Sequence, residues 1–73
     1  MGNPLPDLNR NIRAEMARSG IRQDVLARQL GMSQSAVSRR LNGTAEWSIN
    51  ELVVVAAQLG CTTADLLAGK SAA

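Results

Sequence analysis

Apolar side chains recur every three or four positions through most of this chain. Leu8, Ile12 and Met16 stand at i, i+4 and i+8, a spacing that draws one stripe along an α-helix. Asp7 is a good N-cap for that helix and Ser19-Gly20 stops it. A second stripe, Leu26, Ala27 and Leu30, predicts a helix from about Gln23 to Leu30 with Asp24 and Arg28 turned outward. Gly31 closes it, because glycine takes the left-handed conformation without a steric penalty. Ser33 can cap a third helix. On its wheel Gln34, Ser35, Ser38, Arg39 and Asn42 fall on one side, and Ala36, Val37, Arg40 and Leu41 on the other. Asn42-Gly43 ends it.

The second half repeats the same local grammar. In TAEWSINE, Ser48 at the N-cap and Glu51 at N3 form a capping box, with Trp47 and Leu52 as its hydrophobic staple. Val53-Val54-Val55 alone would suit a strand, but the cap and the length from Ser48 to Leu59 favour a helix. On that helix Val54 is expected on the outer side with Asn50, Glu51 and Gln58. CTTADLLAG gives a short fifth helix: Thr62 caps, Asp65 sits at N3, Cys61 and Leu66 form the staple, and Gly69 closes. The arm at 1–6, with two prolines and no periodicity, is expected to be irregular, and the tail at 70–73 to fray. No internal repeat or low-complexity tract interrupts this order. The expectation is an all-α, compact five-helix unit, one domain over 1–73.

Composition narrows the possibilities. Apolar residues make up 45% of the 73 positions, yet there is one Trp and no Phe or Tyr, so the core must be built from Leu, Ile, Val, Met and Ala. A chain of this size fits one small core and no deep substrate cleft. One Cys and no His leave neither an internal disulfide nor a metal site, and no cofactor is expected. Asp7, Asp24 and Asp65 lie on different caps and faces, so no acid–base or nucleophilic constellation can be assembled, which argues against an enzyme. No segment is long and apolar enough to span a membrane, and no signal-peptide core is found at the start. A soluble, cytoplasmic protein is expected.

The net charge of +2 conceals an asymmetry. Between Leu8 and Gly43, seven arginines face Glu15 and Asp24, a net of +5; from Thr44 onward Lys70 faces Glu46, Glu51 and Asp65, a net of −2, and Asp7 supplies the remaining −1. Positive charge therefore collects in the half that contains RQDVLARQLGMSQSAVSRRLNG, as expected of a polyanion binder.

That stretch resembles the helix-turn-helix of the phage Cro/repressor family of DNA-binding domains. Gln23, Leu26-Ala27, Gly31, Ser33, Val37 and Asn42-Gly43 match the family pattern in register, and the resemblance extends over Leu8 to Leu67, including the turn Leu59-Gly60. It implies a lambda-repressor-like fold in which helices 2 and 3 form the motif. The residue types also make physical sense: Ala27 is small where the two helices cross, Gly31 permits the sharp turn, and Val37 fills the angle between them. Helix 3 then presents its polar side outward, and the major groove, about 12 Å wide, accepts one α-helix.

The resemblance implies roles residue by residue. Gln34 is the family's base-reading Gln, bonding adenine or bracing Gln23 against a phosphate; Ser35 and Ser38 donate to bases or phosphates; Arg39 is the expected specificity determinant, favouring guanine. Phosphate contacts are expected from Arg22, Gln23, Asn42 and the amides around Gly43 and Thr44. Arg10, Arg13, Arg18 and Arg28 are expected to contribute mainly long-range field. Three positions depart from the pattern. Arg22 stands where relatives place a capping Thr, Ser or Asn. Met16 and Leu41 replace an Arg–Glu ion pair and are expected to touch each other. Arg40 occupies an ordinarily apolar position, so its stem should lie on the core edge while its guanidinium reaches an acid or a phosphate. Cys61 fills a small buried position and Trp47 serves as a staple.

The function so implied is a sequence-specific double-stranded DNA-binding regulator of transcription, a Cro-like phage or prophage repressor. It would act on palindromic operator DNA as a weak homodimer or a dimer formed on DNA, pairing through helix 5 and the tail, with no membrane or small-molecule partner. An antitoxin of a toxin–antitoxin pair and the DNA-binding domain of a truncated immunity repressor are the alternatives.

Overall fold

The computed structural model describes residues 8–68; Asp7, Gly69, the arm and the tail lie outside the described residues. Five helices follow one another: α1 (Leu8–Ser19), α2 (Gln23–Leu30), α3 (Gln34–Leu41), α4 (Ile49–Leu59) and α5 (Thr63–Ala68). No strand is found among the described residues.

Local chemistry sets most of these boundaries. Ser33 accepts the backbone N–H of Ala36 at 3.1 Å, and at α4 the Ser48 hydroxyl accepts the Glu51 N–H while the Glu51 carboxylate accepts the Ser48 N–H. Thr62 and Asp65 form the same reciprocal pair before α5, at 3.0 and 3.1 Å. Each box satisfies two N–H groups that a helix start leaves unpaired. At the other ends the chain turns back through glycine. Gly31 takes φ +69°, Gly31 N–H donates to the Arg28 carbonyl and Met32 N–H to that of Ala27, so α2 stops within one residue and the chain is redirected into α3.

One apolar cluster joins all five elements: Ile12 and Met16 from α1, Leu26 and Ala27 from α2, Val37 and Leu41 from α3, Leu52, Val55, Ala56 and Leu59 from α4, and Leu66 from α5. Met16 and Leu41, expected to touch each other where relatives carry an ion pair, both lie in it. Leu8, Leu30, Trp47 and Cys61 pack on its rim, half-buried. Cys61 is therefore less enclosed than expected, because it sits in the surface turn between α4 and α5. Burial still pushes its thiol pKa up, with Glu15 and Asp65 adding to the effect, so Cys61 stays a protonated packing residue. Trp47 packs on this cluster and also donates its indole N–H to Asn9 Oδ1 at 2.7 Å.

Val54 differs from the sequence expectation. It is half-buried, and the exposed large apolar side chains of α4 are Ile49 and Val53, at 76% and 53%. The reason is that α4 packs on three elements, α2, α1 and α5. The buried arc is therefore wider and reaches the edge carrying Glu51 and Val54.

Polar bonds lock α1 into place. Asn11 donates to the Leu66 carbonyl at 2.7 Å and Ser19 to that of Leu59 at 3.3 Å. Glu15 is buried with 4% exposure and accepts Arg18 Nε at 3.0 Å as well as Arg18 Nη2. Such pairing is what makes a buried carboxylate tolerable.

Candidate nucleic-acid interface

α3 owes its position to two apolar contacts and one ion pair. Val37 is completely buried and Leu41 nearly so, which pins one side of the helix to the core. Arg40, on the same side, donates Nε to Glu51 Oε1 at 3.0 Å and Nη2 to Oε2 at 3.3 Å, while Nη1 reaches the Ala36 carbonyl at 3.1 Å. Its guanidinium thus spans from its own helix to the capping carboxylate of α4. The acid anticipated for Arg40 is Glu51. The Ser48 N–H first, and Arg40 next, hold the Glu51 carboxyl below its ordinary pKa against the opposing effect of burial.

With that side fixed, the other faces solvent. Gln34, Ser35 and Arg39 are exposed, Ser38 is half-buried, and Asn42 is exposed at the helix end. The exposed positions follow the helical period of the wheel, so four donor or acceptor side chains form one convex polar strip. Arg39 has no carboxylate partner among the described residues, and neither has Arg28.

Two further parts of the motif carry expected phosphate ligands. At the start of α2, Arg22 is the residue before the helix and makes no capping bond, so the N–H groups of the first turn are not taken up by a side-chain cap. Arg22 instead lies 3.5 Å from Asp24 as a largely exposed ion pair, and Gln23 opens the helix, half-buried. At the end of α3, the amides expected to be open are engaged. Gly43 N–H donates to the Arg40 carbonyl at 3.2 Å, and Thr44 N–H and hydroxyl both donate to the Arg39 carbonyl, at 2.9 and 3.0 Å. These bonds close the helix around Gly43 at φ +85°. Asn42 keeps its side chain outside this closure. Its Oδ1 accepts Arg13 Nη2 from α1 at 3.0 Å.

Arg13 is the residue near this strip that pattern reasoning did not single out. The signal was available only in part: Arg13 is polar on the wheel of α1, and the expected Met16–Leu41 contact brings α1 to the end of α3, but neither picks out Arg13 as the partner of Asn42. Among the described residues no group of three His, Cys, Asp or Glu side chains could hold a metal, and no helix is long and apolar enough to cross a membrane.

The arrangement offers a rod of backbone with a polar outer side, a helix N-terminus without a side-chain cap, and arginines around both. This suits a long polyanion with readable edges better than a small ligand, which would need a concave pocket. Comparison with known proteins points the same way. The family model described as Cro/C1-type HTH DNA-binding domain matches residues 11–69, which takes in all of α2 to α5 and most of α1. No curated protein and no solved structure gives a match. With its helix-turn-helix at α2 and α3 inside the matched span, the chain belongs to the Cro/C1-type HTH DNA-binding domain family.

Proposed function

We propose that this chain regulates transcription by reading operator DNA in the major groove with α3, as a Cro-like phage or prophage repressor that occludes a promoter. The observation that carries the reading is the division of α3 within a family-matched motif. Val37 and Leu41 are buried, and Gln34, Ser35 and Arg39 are exposed on the opposite side, with Ser38 at the boundary. Arg39 reads guanine through N7 and O6, Gln34 bonds adenine, and Ser35 and Ser38 add bonds to bases or phosphates. Arg22 and Gln23 take a phosphate at the start of α2, where the helix dipole and uncapped N–H groups favour an anion. Asn42 takes another through its side chain, with Gly43 and Thr44 allowing close approach rather than supplying their N–H groups.

Two copies bind a palindromic site with half-sites about 34 Å apart, pairing weakly through α5, where Leu67 is 44% exposed. The site of action is the cytoplasm.

Selection of binding sites from random duplexes tests the reading: a palindromic consensus is expected, and recovery of no consensus would overturn it. On the selected site Arg39→Ala should relax preference at one base pair, at about 1–3 kcal/mol, whereas Asn42→Ala should weaken all sequences alike. Equal losses on every duplex for Arg39→Ala would remove its assigned role.

A further inference from the structure

We infer that Arg13 of α1 and Asn42 at the end of α3 form a two-residue clamp for one backbone phosphodiester of bound DNA, a contact that rests on the DNA-reading assignment above. Arg13 Nη2 donates to Asn42 Oδ1 at 3.0 Å across 29 residues of sequence, and both side chains are exposed. The bond fixes the Asn42 carboxamide. With its oxygen turned to Arg13, the amide nitrogen and its two N–H donors point to the other side. Arg13 itself spends one N–H of five on this bond and has no carboxylate partner among the described residues. Both side chains thus keep unspent donors at the end of α3, one set carrying a full positive charge.

The position of this pair matters. It lies at the C-terminal end of α3, past the polar strip Gln34 to Arg39, and adds a second phosphate contact to the one proposed for Arg22 and Gln23. A rod-like reader held by two such contacts is fixed in register on the duplex, which is the task that phosphate contacts perform. The backbone at this end adds nothing to the donor count, because the Gly43 and Thr44 N–H groups close α3. An anion held here must be held by side chains, and Asn42 with Arg13 supplies them.

A purely structural role, Arg13 closing the negative end of α3, makes a different prediction. It would lower thermal stability and leave the salt dependence of DNA binding unchanged. The test is therefore binding of the selected duplex as a function of salt, for the wild type, Arg13→Gln, Arg13→Lys, Asn42→Ala and the double variant Arg13→Gln/Asn42→Ala, with melting temperatures alongside. Arg13→Gln should weaken binding roughly tenfold on every duplex and reduce the slope of log K against log salt by about 0.9, one phosphate's worth of released counterion. Arg13→Lys, which keeps the charge, should keep the slope. The two losses should be less than additive in the double variant, since either change opens the clamp.

Unchanged affinity and slope for Arg13→Gln, in a wild type that binds, would overturn the clamp and leave the DNA-reading assignment standing. So would a loss that follows the fall in melting temperature and spares the slope. A wild type without salt-dependent binding would overturn both.

Discussion

Gly31 shows how much one residue decides in so small a domain. Its φ of +69° lets α2 stop and the chain swing into α3, and a Cβ placed there would meet nothing within 4 Å. Space is free, so the cost of a substitution is conformational alone. Gly31→Ala should destabilise the domain by about 1–2 kcal/mol, and Gly31→Asn by less, because Asn tolerates the left-handed region better. Urea denaturation of the two variants measures this, and equal losses would show that something other than backbone conformation is at stake. Positions of this kind are legible in the sequence because the requirement is local: Gly31, Ser33, the Ser48–Glu51 box and the Thr62–Asp65 box each announce themselves within four residues. The bonds of Arg13 to Asn42 and Trp47 to Asn9 do not, since they depend on where α1 crosses other segments, a three-dimensional fact with no periodic trace. The polar strip of α3 was readable from its wheel, but the engagement of the Gly43 and Thr44 amides was not, because an αL closure uses groups that every residue carries.

Between elements, the Arg40–Glu51 pair links α3 to the start of α4, and one carboxylate performs two jobs. Glu51 Oε1 accepts both the Ser48 N–H and Arg40 Nε, each at 3.0 Å. The sequence announced the first job through the capping box, and for the second it indicated only that Arg40 would seek an acid. Both partners favour the ionised form, so the Glu51 pKa in the folded chain lies below its ordinary value of 4.5. A carboxyl with a depressed folded pKa stabilises the fold fully above its unfolded value and loses that contribution as pH falls through the folded one. Stability should accordingly decline below about pH 4.5, and Glu51→Gln should flatten that decline. Gln keeps an oxygen for the Ser48 N–H, so at pH 7 the variant should lose only about 0.5–1 kcal/mol, the worth of a partly exposed ion pair. Denaturation midpoints between pH 3 and 7 provide the measurement. An undiminished acid-side slope in Glu51→Gln would assign the titration to another carboxyl.

At the scale of the whole molecule, the proposed pairing of two copies on a palindrome has two candidate surfaces among the exposed apolar side chains. Leu67 on α5 belongs to the surface proposed for pairing, while Ile49 and Val53 form a second exposed apolar pair at i, i+4 on α4. A few exposed aliphatic side chains bury far less area than a stable dimer interface requires, so pairing should be weak in solution and effective only when DNA holds both copies close. Occupancy of a full operator should then rise more steeply with protein concentration than occupancy of an isolated half-site. Leu67→Asp should remove that steepness and leave half-site affinity within about twofold, since the residue is outside the polar strip of α3 and its exposure spares the core. Val53→Asp, made at a comparably exposed position, should leave both quantities unchanged. If the steepness survives Leu67→Asp and disappears with Val53→Asp, the two-fold contact belongs to α4. Sedimentation of each variant without DNA separates this from simple unfolding, because both should remain compact monomers at micromolar concentration. The two substitutions add the same charge at two different places, so a difference between them reports the location of the contact and not the general effect of a new carboxylate near DNA.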